Sequence, residues 1–179
     1  MEFRLLGPLE VTQGGRPVTV GGGKRRALLA LLLLRHDTLV SAEQLIDELW
    51  GERPPATAAK SIHVYVSQLR KELAACNGEV IRTRGSGYVL PVRPGDLDVA
   101  RFERLLGDGR RALAAGDPAV ADRRLREALA LWRGPPLADF TYEPFAQREI
   151  ARLEEARLVA LESRVDAGLA LGRHDELVG

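Results

Sequence analysis

The chain has 179 residues, of which 45% are hydrophobic and 28% charged, values ordinary for one large or two small folded domains. A single cysteine, Cys76, excludes an intrachain disulfide scaffold and fits a reducing cytosol. The longest apolar run, residues 27–34, falls far short of the roughly 20 that a membrane-spanning helix needs, and the first residues lack a signal pattern, so the expectation is a cytoplasmic chain with no membrane partner.

The net charge of +1 is unevenly divided, because residues 1–95 carry 13 Lys and Arg against 9 Asp and Glu, and residues 96–179 carry 13 against 16. A basic nucleic-acid reader joined to a mildly acidic module would produce that division.

In chain order, short apolar stretches at 3–6, 9–11 and 18–20, separated by Gly7-Pro8 and Gly14-Gly15, predict a small antiparallel sheet. From 24 to about 35 the apolar residues are too dense for a surface helix, so a helix packed on several sides is expected. At its start, Gly21-Gly22-Gly23-Lys24-Arg25-Arg26 sets three cations against the helix macrodipole, which calls for an anion such as a phosphate. A nucleotide-binding phosphate loop is rejected on spacing, with Val18 where its first glycine belongs and Arg25 where its hydroxyl belongs.

Ser41, with Gln44 three residues later, reads as a capping box opening a second helix whose core stripe is Leu45, Ile46 and Leu49 and which Trp50-Gly51 closes. Pro54-Pro55 separate it from a third helix at 57–75. On that helix Ile62, Val66, Leu69 and Leu73 form a core stripe with Tyr65 at its edge, while Lys60, His63, Val64, Ser67 and Lys71 face the other way, flanked by Arg70. Lys60, Lys71 and Arg70 suit phosphates, His63, Ser67 and Gln68 suit base edges, and Val64 suits a thymine methyl.

Residues 80–90 then alternate as two strands about a Gly85-Ser86-Gly87 tip, with Arg82 and Arg84 on one side by the period of two. Taken alone, the helix is equally an amphipathic helix with solvated charges, and the hairpin a solubilising surface hairpin. Their adjacency favours duplex DNA, with the helix in a groove and the hairpin over the backbone.

Pro91, Pro94 and Gly95 mark a change of character, and everything beyond reads as helix. Asp98 is expected to cap a helix reaching about 115, Gly116-Asp117 to turn, and Pro118 to start a helix continuing to Trp132. An irregular stretch follows the Gly134-Pro135-Pro136 linker, and a long helix is expected at about 145–171. The turns at 115–117 and 171–173 look equivalent and suggest tetratricopeptide-like stacking, although they lie 56 residues apart against about 34 for a standard repeat. The last helix pair lacks a cap, so the chain is expected to be part of a longer one.

The fold class predicted is therefore mixed: an α+β winged helix-turn-helix with a small N-terminal antiparallel sheet over residues 1–93, followed by an all-α tetratricopeptide-like domain over 96–179. His36, His63 and His174 are scattered, and Cys76 has no basic neighbour in sequence. No metal site or catalytic constellation follows from such spacing, and an enzyme, a metal and a cofactor are not expected.

The runs GGGKRRALLALLLL, VSAEQLIDELWGERPPATAAKSIHVYVSQLRKEL and IRTRGSGYVL resemble the amino-terminal OmpR-type winged helix of the Streptomyces antibiotic regulatory protein family. DLDVARFERLL, ALAAGDPAVADRRLREALALWRGPPLADF and EARLVALESRVDAGLALGRHDEL resemble that family's bacterial transcriptional activation domain. The resemblance covers nearly the whole chain. It implies an activator, probing double-stranded DNA at direct repeats near the promoter −35 region as a pair of protomers, contacting RNA polymerase and its sigma factor, and controlling secondary-metabolite (antibiotic) genes.

Carried over by position, the recognition helix at 57–75 adds Thr57 and Ser61, and the wing at 82–88 adds Ser86 and Tyr88, to the DNA-binding set with Lys24, Arg25 and Arg26. The loop at 48–55 corresponds to the polymerase-facing loop, with Glu48, Trp50, Glu52 and Arg53. The family's activation domain continues for several more helices. The competing reading is a protein-interaction adaptor whose helical pairs bind other proteins, and it leaves the wing arginines unused.

Overall fold

A computed structural model of the chain describes residues 1–73 and 80–173; Ala74, Ala75, Cys76 and His174, which entered the sequence reading, lie outside the described residues. Three strands, β1 (Glu2–Arg4), β2 (Glu10–Gln13) and β3 (Arg16–Pro17), form an antiparallel sheet in that order, with Phe3 opposite Val11. The expected strand at 18–20 is absent. Proline at 17 has no N–H to continue the ladder, and one further bond, from Val18 N–H to the Val11 carbonyl at 2.8 Å, ends it.

Helix α1 (Lys24–Leu34) buries every residue from Ala27 to Leu33, which accounts for its unbroken apolar run. Strand β4 (Val40–Ser41) leads into α2 (Ala42–Trp50), where the Ser41 side chain accepts from Gln44 N–H at 3.1 Å and Gln44 returns the bond to Ser41 N–H at 3.0 Å. Helix α3 (Ala58–Leu73) follows, and β5 (Arg82–Arg84) and β6 (Gly87–Val89) join β4 in a second sheet of order β4-β6-β5.

The helical half comprises α4 (Asp98–Ala114), α5 (Pro118–Leu129), a 3-10 turn (Ala138–Phe140) and α6 (Pro144–Ala170). Helices α4 and α5 meet closely at Gly109, where a Cβ would stand 2.7 Å from Leu125 Cγ. Both α4 and α6 end the same way: Gly116 and Gly172 have φ of 77° and 73°, and the next amides, of Asp117 and Arg173, reach back to the carbonyls of Ala112 and Gly168. These are Schellman closures, so the resemblance between the two turns is physical. Helix α5 stops at Leu129 rather than Trp132, because Arg133 N–H is drawn to the Leu6 carbonyl at 2.8 Å.

Asp98 does not cap α4. Leu97 holds the capping position, and the Asp98 carboxylate, one residue inside the helix, accepts from the amides of Leu5 (2.8 Å), Leu6 (2.9 Å) and Val99 (2.8 Å). Burial raises this carboxyl above its usual range, against the lowering effect of those amides and of the Arg133 charge. Phe3 N–H to the Asp96 carbonyl and Leu137 N–H to the Leu5 carbonyl complete the seam, and buried apolar residues from both sides of 91–96 form one continuous core.

Candidate nucleic-acid interface

Helix α3 buries Ala58, Ile62, Val66, Leu69 and Leu73, and each fully buried aliphatic side chain contributes roughly 1.5–3 kcal/mol, which fixes the rotation of the helix. Lys60, Val64, Ser67 and Lys71 are thereby turned outward. Their steps of four, three and four residues place them in one line, and the two lysines stand about 16 Å apart along the axis at 1.5 Å per residue. That separation brackets a major groove about 12 Å wide, with a cation near each phosphate wall. Val64, 42% exposed, lies between them.

The wing is fastened to this helix by Arg70, whose Nε donates to the Ile81 carbonyl at 2.8 Å and whose Nη2 donates to Thr83 Oγ1 at 2.7 Å. Thr83 pairs with Tyr88, and the Tyr88 hydroxyl lies 2.8 Å from His63 Nδ1. Arg82 and Arg84, opposite Val89 and Gly87, project from the other face of the hairpin and are exposed. At Gly87 a Cβ would stand 2.5 Å from the Val40 carbonyl oxygen, so only glycine lets β4 and β6 approach. The Ser86 carbonyl accepts from Ala42 N–H at 3.0 Å, tying the wing tip to α2.

Of the sequence-selected residues, Thr57, Lys60, His63, Val64, Ser67, Gln68, Lys71, Arg82, Arg84 and Ser86 are exposed, and Lys60, Lys71, Arg82 and Arg84 form no ion pair among the described residues. Some also have internal partners: His63 meets the Tyr88 hydroxyl, Gln68 Oε1 accepts from Arg25 at 2.9 Å, Ser61 Oγ donates to the Thr57 carbonyl at 3.0 Å, and Tyr88 is 3% exposed.

Lys24, Arg25 and Arg26 require a correction. The anion that they were expected to take from outside is supplied from within, by Glu143 at 2.8 Å, Glu72 at 3.1 Å and Asp139 at 2.5 Å respectively. Two of these carboxylates come from the helical half, beyond reach of any local pattern. Sequence reading also missed Arg70 and Tyr88 as the fasteners of helix and wing, since each appears in sequence only as a polar residue on a basic surface.

At the α2–α3 connection, Trp50 stacks on Tyr65 with ring centroids 6.5 Å apart and planes at 19°. Glu48 pairs with Arg35 at 3.3 Å, while Glu52 and Arg53 are exposed in the loop. Among the described residues no cluster of His, Cys, Asp and Glu could hold a metal ion, and no helix is long and apolar enough to cross a membrane.

A helix with an outward basic row, a hairpin fastened beside it and a packed helical module behind define a winged-helix regulator of the OmpR type. The comparisons agree: residues 15–90 match the model of the carboxy-terminal domain of transcriptional regulatory proteins, and residues 97–179 match that of the bacterial transcriptional activator domain. The chain is 41% identical to Regulatory protein DnrI of Streptomyces peucetius over 99% of its own length and 68% of that protein's, and 40% identical to Regulatory protein AfsR of Streptomyces coelicolor over 99% and 18%. A solved structure of Mycobacterium tuberculosis EmbR in complex with a low affinity phosphopeptide superposes with a TM-score of 0.95 at 37% identity, covering 99% of this chain and 48% of that one. The chain belongs to the Streptomyces antibiotic regulatory protein family of DNA-binding transcriptional regulators.

Proposed function

We propose that the chain reads a specific duplex sequence through α3 and activates transcription from it, with residues 1–93 as the reader and 96–179 as the activation unit. The observation that carries this reading is the outward line of Lys60, Val64, Ser67 and Lys71 beside a wing bearing Arg82 and Arg84. Cations with no ion pair among the described residues bracket an apolar centre there, an arrangement that gains from phosphates and a base methyl.

Two protomers occupy direct repeats near the −35 region, and the loop carrying Glu48, Trp50, Glu52 and Arg53 meets RNA polymerase and its sigma factor. The targets are secondary-metabolite genes, a reading supported by the family and by regulatory relatives from Streptomyces. We place the chain in the cytoplasm with its DNA. The adaptor reading draws on the exposed row Leu158, Leu161, Val165 and Leu169 of α6, but it gives Lys60, Lys71, Arg82 and Arg84 nothing to do.

The test is affinity for a duplex selected from a random pool against a scrambled one, measured across salt concentrations. A preference of about 10³ or more is expected. Equal affinity for both duplexes at every salt concentration would end the reading.

A further inference from the structure

The Tyr88–His63 contact joins a buried phenol of the wing to an exposed imidazole of the helix. Tyr88 is 3% exposed, and its hydroxyl lies 2.8 Å from His63 Nδ1, with the two rings 6.2 Å apart and at 74°. Among the described residues that hydroxyl has no second partner. Its buried proton is satisfied only by donation to this nitrogen, an arrangement in which Nδ1 of the neutral ring accepts and the ring proton resides on Nε2. Burial also raises the phenol above its ordinary value, with the Arg70 charge acting the other way, so the hydroxyl keeps its proton near neutrality.

Because Nδ1 is turned toward the wing and His63 is exposed on the outward side of α3, Nε2–H is the edge offered to solvent.

Resting on the DNA-reading proposal, we propose that Tyr88 is a positioning residue that holds His63 as an outward hydrogen-bond donor, making this point of α3 select bases with an acceptor on the major-groove edge. Guanine O6 and N7, adenine N7 and thymine O4 satisfy it, whereas the amino group of cytosine N4 opposes it. Tyr88 itself does not touch DNA. Its removal frees the ring to rotate or to change tautomer, so that Nδ1 or Nε2 can accept from an amino group.

The test combines two measurements. Side-chain ¹⁵N NMR of the free protein, with the His63 signals identified by their loss in His63→Ala, should show the neutral ring protonated at Nε2 in the wild type and a mixed tautomer in Tyr88→Phe, which keeps the ring packing. Selection from random duplexes should show that His63→Ala and Tyr88→Phe relax preference at the same base position, by about five-fold, with the salt dependence of affinity unchanged. A wild-type ring protonated at Nδ1 overturns the proposal even if Tyr88→Phe fails to fold. A sharp wild-type selection that Tyr88→Phe leaves intact, or a uniform loss of affinity in His63→Ala as for a phosphate contact, overturns it while the DNA reading stands. No preference at any position in the wild type overturns the DNA reading itself.

Discussion

Replacing Asp98 by alanine removes the acceptor of three amides, two of which, those of Leu5 and Leu6, belong to residues with no solvent exposure. A buried amide left without a partner costs about 1–3 kcal/mol, giving roughly 2–6 kcal/mol for the pair, partly offset by relief of the carboxylate's own desolvation. A net loss of about 3 kcal/mol is expected. With a urea dependence near 2 kcal/mol per molar for a chain of this size, the unfolding midpoint should fall by about 1.5 M. Trp50 lies in α2 and Trp132 just beyond α5, so fluorescence reports on both halves. Because the carboxylate ties the first strand to the start of α4, both reporters should shift together. A loss below about 0.5 kcal/mol, or a shift seen by only one tryptophan in single-tryptophan variants, would refute the seam as a shared structural element.

Gly87→Ala drives a methyl into the Val40 carbonyl and should cost about 1–3 kcal/mol in urea unfolding while weakening DNA binding through the displaced wing. Lys60→Ala and Lys71→Ala should each flatten the slope of log affinity against log salt by about 0.9 in titrations at several salt concentrations. Lys24→Ala and Arg26→Ala, whose charges face Glu143 and Asp139, should leave that slope unchanged and alter stability by less than about 1 kcal/mol. Two carboxyls give opposite pH signatures in unfolding experiments with their asparagine variants. Asp98 is raised from 3.8, so the protonation-linked part of its contribution is greatest below 3.8 and falls away as pH rises through its folded value, while its hydrogen bonds to the Leu5, Leu6 and Val99 amides remain, and Asp98→Asn removes that slope. At Asp122, burial acts to raise the carboxyl, but hydrogen bonds and charge from Arg126 and Arg173 outweigh it and hold it below 3.8. Its contribution is therefore present above 3.8 and lost as pH falls through the lowered value, and Asp122→Asn should remove that loss.

What the sequence made legible was local. The Ser41–Gln44 box, the apolar stripe of α3, the Gly85-Ser86-Gly87 tip and Pro118 at the start of α5 each follow from residues within a few positions of one another, where backbone geometry alone sets the pattern. What stayed hidden was long-range pairing. Asp98 sits 93 positions from Leu5, Lys24 119 from Glu143 and Tyr88 25 from His63, and no periodicity encodes such contacts. The outward row of α3 was therefore readable as a surface, since its opposite face had to be buried. The internal engagement of Lys24, Arg25 and Arg26 was not, because a cation looks the same in sequence whether a carboxylate or a phosphate faces it.

The claim that α3 enters the wide groove with the wing alongside can be tested by placing an iron chelate on the protein and mapping where it cuts bound DNA. With Cys76→Ser as background, Val64→Cys and Ser86→Cys put the chelate on the helix row and on the wing tip. The account predicts cuts from position 64 centred in one major groove of each repeat, and cuts from position 86 displaced to the neighbouring backbone. Cuts of equal strength along the whole duplex from both positions, or none from position 64, would contradict it.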